Sequence, residues 1–209
     1  MLLCGVGIEP HVSSPVLQAL ARARGHILGV ACVHVIAIAI GAVMVHAGDP
    51  FALRHRDRLV RQAHASDPAS RALARGDRIE AAAWDFGRNL FLGAVPATIG
   101  GLALVVPYLT AGLRGWVGGI VSVDGAHTSR LAEPAERAYY LVTLALQLIP
   151  YSMAGGAGIS LGLAYLRRAG RSGRRWLGLP RDEVVDVLRI YRLVVPLSAI
   201  ASLWEFLAR

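Results

Sequence analysis

The sequence contains no lysine, and all 22 of its basic residues are arginine. We interpret this usage as a mark of a GC-rich genome rather than of a mechanism. Charged residues of either sign make up only 17% of the chain, whereas soluble globular domains typically have about 25%. With 55% hydrophobic residues and a mean hydropathy of +0.48, the composition is typical of a membrane protein. A soluble helical bundle with an apolar core is the less favoured alternative.

Residues that commonly carry chemistry are also scarce. The two cysteines predict no disulfide framework, and Cys32 lies in an apolar run, where a thiol is normally a small hydrophobe. The chain lacks His or Cys pairs at metal-ligand spacing, and it lacks the Gly-Lys pair of a phosphate loop. We therefore predict no metal site, no cofactor and no catalytic residue, and we expect the protein not to be an enzyme.

The net charge of +8 raises nucleic acid as a partner. The arginines, however, lie in polar stretches that flank apolar runs. This placement is typical of membrane topology and of contact with anionic headgroups. We expect the lipid bilayer as the partner, and no nucleic acid.

Apolar runs long enough to cross a hydrocarbon core of about 30 Å alternate with polar stretches. They predict an all-α, polytopic membrane protein with about five membrane segments. The predicted regions are a tail at 1–25, a first transmembrane helix at 26–47, a polar helical extramembrane region at 48–88, and a membrane domain at 89–209 with segments 89–110, 112–123, 138–167 and 191–208 and loops 124–137 and 168–190. Segment 112–123 is short, so it either crosses or is re-entrant. The sequence leaves the orientation of the chain open.

Capping signals predict where three helices start. Asp67 precedes a proline, and Asp77 stands three residues before Glu80, which is an acidic form of the capping box. Pro180 is followed by two acidic residues, which favour the first turn of a helix.

One apolar stretch, residues 147–162, breaks two rules of helix formation. It contains a proline, which removes a backbone donor, and it is rich in residues with almost no side chain. In a membrane, small residues at i and i+4 let a neighbouring helix approach closely. We predict a kinked helix with a docking face for another helix, of this chain or of a partner. The predicted helix-packing residues are Pro150, Ala154, Gly155, Gly156, Gly158 and Gly162.

The same stretch matches the Gly-x-Ser-x-Gly pattern of a nucleophile elbow, with Ser160 as the nucleophile. An elbow needs a strand before it and a helix after it, and no strand signal precedes this one. The histidines in an apolar span that could serve as its base are His34 and His46. Small-residue packing explains the pattern better, and an intramembrane hydrolase is the remote alternative.

Five polar side chains lie at the borders of the apolar segments or inside them. Polar groups in lipid usually face the interior of the bundle and pair with one another. They predict either a structural network between helices or a path for a substrate or ion. The candidate network is Asp85, Arg88, Asn89, Gln147 and Glu205.

A short internal echo adds to the case for transport. Residues 95–101 and 149–156 both place a proline about one turn before paired glycines. Broken helices in corresponding positions can mark the repeats of a transporter, although a glycine-rich chain can also produce such a match by chance.

Three stretches resemble the stage II sporulation protein M family of bacterial membrane proteins. Arg88-Asn89 opens a span that ends in Val-Pro-Tyr-Leu-Thr-Ala-Gly-Leu, similar to an Asn-led helix of the family with its Tyr and Gly turn. Residues 147–162 resemble the family's core of Glu-Leu-Pro-Ala followed by Ala-Gly-x-x-Gly-x-x-Leu-Gly, and residues 201–207 resemble its C-terminal Ala-x-x-Ile-Glu-Ala-Phe. Two departures are that Gln147 replaces the usual Glu and that the Asn-Gly pair after Tyr108 is missing.

The resemblance implies a multi-pass protein of the bacterial cytoplasmic membrane that has about five spans and no enzymatic activity. Sporulating members scaffold enzymes that degrade septal peptidoglycan, and other relatives resemble accessory components of ABC transporters or of bacteriocin export. It therefore implies a scaffold or accessory protein for cell-wall remodelling or export. The expected partners are a cell-wall hydrolase complex, an ABC transporter component, or further copies of this chain. A transporter subunit is the alternative function.

Overall fold

A computed structural model describes residues 14–167 and 175–208 of the chain. The described part is mostly helical, which confirms the predicted helical class. Its helices are α1 (Pro15–His46), α2 (Pro50–Ser66), α3 (Pro68–Ala74), α4 (Arg78–Asn89), α5 (Val95–Gly100), α6 (Val106–Ile120), α7 (Pro134–Arg167) and α8 (Arg181–Leu207). A π-helical turn at Leu90–Ala94 joins α4 to α5, and a 3-10 turn at Gly101–Ala103 follows α5. A small antiparallel hairpin, β1 (Arg175–Trp176) and β2 (Leu179–Pro180), precedes α8.

Side-chain caps begin α3 and α4, the two helices whose starts the sequence predicted at Asp67 and Asp77. The carboxylate of Asp67 accepts a hydrogen bond from the Ser70 amide at 3.2 Å, and that of Asp77 accepts from the Glu80 amide at 2.8 Å. A third cap, at Asp49 before α2, follows the same rule but was not predicted. The predicted start after Pro180 is also confirmed, because α8 begins at Arg181.

The predicted tail at 1–25 is wrong over its second half. Helix α1 begins at Pro15, and the Ser14 hydroxyl caps it by accepting from the Leu17 amide. The reason is tertiary as well as local, because Ala19 and Ala23 are buried in the core with α7 and α8. Residues 1–13 lie outside the described part of the chain.

The predicted boundary between segments 89–110 and 112–123 is wrong by several residues. Helical structure runs without interruption from α4 to the 3-10 turn and breaks at Leu104, whose φ of 59° belongs to the left-handed region. Helix α6 then starts with Pro107 in its first turn, where a missing amide donor costs nothing. Prolines and paired glycines both stand in this stretch, and sequence alone did not show which of them ends the helix.

Two further boundaries need correction. Helix α7 begins at Pro134 and continues through Pro150 to Arg167, so it is longer than the predicted 138–167 segment. The predicted loop 168–190 ends at the start of α8, because residues 181–190 already belong to that helix. Residues 168–174 are outside the described part.

Helix α7 lies in the centre of the fold and contacts α1, α5, α6 and α8. On one side of it α1 packs along α6, and on the other side α4 packs along α8. The main apolar core joins α1, the π turn, α7 and α8, and its members include Ala23, Leu90, Ala154, Ala157 and Val194. Small side chains dominate this core, so the helices approach one another closely.

Two of the described helices, α1 and α7, are long and apolar enough to cross a membrane. Large apolar side chains on the outer surface of the bundle include Leu28 and Val43 of α1, Phe91 of the π turn and Leu109 of α6. An exposed apolar surface of this kind marks contact with lipid or with another protein.

Candidate functional site: a polar cleft above a glycine seam

The C-terminal half of α7 forms a seam of small residues that is closely packed on all sides. Every residue from Pro150 to Ile159 is buried, as are Leu161 and Gly162. The predicted packing residues therefore lie where the sequence placed them, at the helix contacts.

The seam docks on other segments of the same chain. A Cβ atom added to Gly158 would collide with the Thr98 backbone of α5, and one added to Gly162 would meet the Leu102 backbone at 3.0 Å. On the opposite side a Cβ on Gly156 would lie 2.6 Å from the backbone of Ile27 in α1. These contacts leave no room for a side chain, so only glycine fits at the three positions.

The two echoed proline–glycine segments pack against each other. Gly101 at the end of the first segment lies against the backbone of Gly158 just after the second. Thr98 reinforces this contact, since its hydroxyl donates to the Ala154 carbonyl at 3.0 Å and lies 2.8 Å from the Tyr191 hydroxyl. The echo thus corresponds to one intramolecular interface.

The nucleophile-elbow geometry is not formed at Ser160. This residue lies in the middle of a continuous helix, and no strand precedes it among residues 134–159. Ser160 borders a small gap that Arg22 and Asp186 also line, and neither His34 nor His46 lines this gap. Small-residue packing accounts for the pattern.

Asp85 of α4 is the centre of the first half of the predicted polar network. Its side chain is 1% exposed and accepts hydrogen bonds from Arg88 at 2.6 Å, from Asn89 at 2.8 Å and from the Ser202 hydroxyl of α8 at 2.8 Å. The Tyr151 hydroxyl of α7 donates to Asn89 at 2.8 Å. Asp85 and Asn89, which bond to each other, thereby join α4 to α8 and to α7.

Gln147 and Glu205 form the other half of the network. The Gln147 amide donates to the Glu205 carboxylate at 2.6 Å, and the Tyr139 hydroxyl donates to the Glu205 backbone carbonyl at 2.5 Å. Both bonds join α7 to α8. All five predicted network residues therefore make interhelical or capping contacts on one side of α7.

The N-terminal half of α7 is the floor of a cleft of about 830 Å³. The α4–α8 pair forms one wall, and the α1–α6 pair forms the other. Four of the five network residues line it, while Asp85 lies behind Arg88. Its charged and polar lining includes His34, Arg78, Arg88, Asn89, Arg114, Arg130, Gln147 and Glu205.

Sequence reasoning missed Arg114, which lies inside the predicted segment 112–123. The guanidinium carbon of Arg114 lies 4.2 Å from the centre of the Tyr151 ring, a cation–π contact. One of its nitrogens donates to the Leu92 carbonyl at 3.4 Å. An arginine inside an apolar helix is itself a signal of function, and it could have been singled out on that ground.

At the end of the bundle that carries α2 and α3, polar contacts tie these helices to the neighbouring loop. His127 of the loop lies 3.2 Å from Asp57 of α2, and His46 at the end of α1 lies 2.8 Å from the Ser129 hydroxyl. Arg88 also reaches Asp67 at the start of α3 at 3.0 Å. The hydrogen bond from Arg56, followed by that from His127, lowers the pKa of Asp57 below its ordinary value.

Among the described residues, no group of three or more His, Cys, Asp or Glu side chains could hold a metal ion. Comparison of the chain with protein-family models, with curated proteins and with solved structures found no match.

Proposed function

We propose that the chain is a multi-pass protein of the bacterial cytoplasmic membrane that acts as a non-enzymatic scaffold or accessory protein, as the resemblance to the stage II sporulation protein M family implies. Its five membrane segments are α1, the continuous α4–α5 unit, α6, α7 and α8. If successive segments cross the membrane in alternating directions, the end of α1 and the loop between α6 and α7 lie on the same side. The contact between His46 and Ser129 supports this arrangement, because it joins these two places.

The observation that carries the scaffold proposal is the attachment of α2 and α3 to the bundle. Helix α2 has a polar face rich in arginine, yet Ala52 is fully buried with Val45 and Ile120 at the ends of α1 and α6. The Asp57–His127 and Arg88–Asp67 contacts hold the same two helices from the loop and from α4. A polar unit held at a fixed position outside the spans is suited to organising partner proteins.

A pull-down from native membranes tests this proposal. We expect the full-length protein, extracted in mild detergent, to retain partner proteins, and we expect Arg54→Glu with Arg58→Glu on the exposed face of α2 to release them. The control is Arg181→Glu on the exposed start of α8, which we expect to retain them. Cell-wall hydrolases among the retained proteins would favour wall remodelling, and an ATPase would favour export. Equal retention by all three proteins would contradict a docking role for α2.

Cysteine labelling tests the five-segment topology. With Cys4 and Cys32 replaced by serine, we expect Val60→Cys in α2 and Leu177→Cys in the hairpin to react with a membrane-impermeant maleimide from opposite sides. Leu177 is 91% exposed, so its replacement disturbs no packing. Reaction of both cysteines from the same side would rule out five crossings and would favour a re-entrant α6.

A transport role is the second candidate, and one observation favours it. Arg114 and Tyr151 line the large cleft and also a second cavity of about 130 Å³ between α5, α6 and α7. Arg114 and Tyr151 therefore lie at the boundary between the cleft and this second cavity. Uptake or release of a solute by liposomes that contain the purified protein alone would establish this role and would contradict a purely scaffolding protein.

A further inference from the structure

We propose that the cleft above α7 binds the headgroup of an anionic phospholipid, with the guanidinium groups of Arg114 and Arg130 on its phosphate. This inference goes beyond the scaffold function and requires only the proposed membrane location. It rests on the charge of the lining, on unpaired polar atoms and on the apolar part of the walls.

The lining of the cleft has an excess of positive charge. It contains four arginines, at positions 78, 88, 114 and 130, against one acidic residue, Glu205. Arg88 is balanced by Asp85 and Asp67, at 2.6 and 3.0 Å. Arg114, by contrast, has no carboxylate partner in the described part of the chain; it contacts a ring and a carbonyl oxygen.

Two further polar nitrogen atoms of residues that line the cleft are buried without a hydrogen-bond partner among the described residues. They are the Nε atom of Arg130 and the Nδ1 atom of His34, a residue that is only 5% exposed. His34 and Arg114 both belong to the α1–α6 wall. Buried polar atoms are normally satisfied, and the Nε atom of Arg130 can only donate, so its lack of a partner beside a cationic cleft indicates an anionic acceptor.

The walls between the arginines suit an amphiphile better than a small hydrophilic anion. Leu113, Val117, Leu144 and Phe206 line the cleft together with the charged groups. Leu113 is 62% exposed, so the apolar part of the wall continues onto the outer surface of α6. An acyl chain can lie along this surface while its headgroup occupies the polar part of the cleft.

A phosphate fits the arginines in energy as well as in sign. A guanidinium inside a bilayer is costly unless it pairs, and arginine binds phosphate through two parallel hydrogen bonds. Lipid supplies phosphate at high local concentration on both sides of a membrane. The phosphate of a phospholipid is therefore the acceptor that the surroundings of the protein offer to Arg114.

Lipid binding to the full-length protein in neutral detergent, followed by native mass spectrometry, tests the proposal. We expect phosphatidylglycerol to bind more tightly than zwitterionic phosphatidylcholine, and we expect diacylglycerol without phosphate not to bind. Inorganic phosphate at millimolar concentration should displace phosphatidylglycerol only weakly, because it lacks the acyl chains. Equal binding of the three lipids would overturn the proposal, and full displacement by inorganic phosphate would overturn the lipid as the ligand.

Matched variants locate the site. We expect Arg114→Gln and Arg130→Gln each to weaken binding of phosphatidylglycerol about ten-fold, since each removes charge-assisted hydrogen bonds. Arg61→Gln on the exposed face of α2 removes the same charge outside the cleft and should leave the affinity within about two-fold. Equal losses in all three variants would show general attraction to the basic surface and would contradict a built site.

Because Arg114 contacts Tyr151, its replacement could disturb the fold, and Arg130 on the loop serves as the independent variant. The lipid ranking of the unaltered protein needs no variant at all. Extraction of the protein from membranes by alkaline carbonate would contradict the proposed membrane location itself. A protein that resists carbonate but shows no preference for phosphatidylglycerol would contradict only the lipid site.

Discussion

The two halves of α7 differ in what surrounds them, although both belong to one continuous apolar helix. From Pro150 to Gly162 the helix is almost entirely buried, and backbone atoms of α1, α5 and the 3-10 turn lie against its glycines. From Tyr139 to Gln147 it carries tyrosine, threonine and glutamine side chains that face a cleft of about 830 Å³. The first arrangement depends on the absence of side chains, and the second depends on particular polar groups.

The comparison shows how one helix can combine rigidity with a binding surface. The seam holds α1, α5 and α7 at a fixed distance, because their backbones already touch and no side chain remains to rearrange. Tyr151 stands at the junction, where its hydroxyl bonds to Asn89 and its ring carries Arg114. The closely packed half thus positions the wall residues of the open half.

The largest effect is expected in the seam, from Gly158→Leu. The new side chain would meet the Thr98 backbone, which cannot move aside as a flexible side chain could. Overpacking that side chains can absorb commonly costs about 1–3 kcal/mol, and a clash with a backbone should cost more than that range and more than the loss of any single polar contact in this bundle. We expect little folded, monodisperse protein in size-exclusion chromatography, and a greater loss than from any single charge reversal in the loops.

Gly25→Leu is the matched control for that substitution. Gly25 also lies in a helix, but a Cβ atom there meets nothing within 4 Å. We expect a normal folded yield from this variant. Equal yields of the Gly158 and Gly25 variants would mean that the seam is not closely packed.

A smaller but still large effect is expected from Asp85→Ala on the polar side. The change removes one buried carboxylate and leaves the donors of Asn89 and Ser202 without their acceptor. Breaking a buried charged pair in this way typically costs about 3–5 kcal/mol, and the remaining contact of Arg88 with Asp67 reduces that cost. We expect a lower midpoint of thermal unfolding in detergent. Glu133→Ala, at an exposed position, should leave the midpoint unchanged; a similar decrease in both would show that the network does not stabilise the bundle.

Tyr151→Phe tests the junction between the two halves. The variant keeps the ring that contacts Arg114 and removes only the hydroxyl that donates to Asn89, so we expect a loss of about 1 kcal/mol. Thermal unfolding measures this loss, and lipid binding should be preserved. Loss of both stability and lipid binding would show that the hydroxyl positions the cleft as well.

The smallest effect is expected at the end of the bundle, from acidification. Because the pKa of Asp57 is lowered in the folded protein, its contribution is complete above its ordinary value of 3.8 and is lost as the pH falls through the lowered pKa. Below this range we expect the amides of the 122–130 loop to be less protected from hydrogen exchange, relative to the intrinsic exchange rate at the same pH. Asp57→Asn should show the lower protection already at pH 7, and an unchanged loop in that variant would contradict the role of the Asp57–His127 contact.

Much of the helical order could be read from the sequence because its signals are local. Asp67 and Asp77 start helices through their own carboxylates, and such caps act within three residues. The break after α5 could not be placed in the same way. Gly100, Gly101 and Pro107 all permit it, and only the contact of Gly101 with Gly158 selects the position.

In the candidate site, too, some features could be predicted from the sequence and others depended on contacts between distant segments. Asp85, Arg88, Asn89, Gln147 and Glu205 could be named from the sequence, because polar groups near apolar segments must find partners. Which groups pair could not be named, since Ser202 and Tyr151 reach Asp85 and Asn89 across more than 60 positions of chain. Arg114 could have been named on the same ground, but its contact with the Tyr151 ring and its position at the cleft depend on the tertiary structure.

By itself, the sequence determined that the chain is mostly helical and where several helices begin. It also determined that residues 147–162 include a seam of residues with little or no side chain. These properties follow from composition, from backbone donors and from side-chain volume, which act locally. Only the tertiary structure decided what the seam packs against and that Arg114 has no carboxylate partner within the described part of the chain. Docking partners and charge balance are properties of distant segments brought together, and no local pattern contains them.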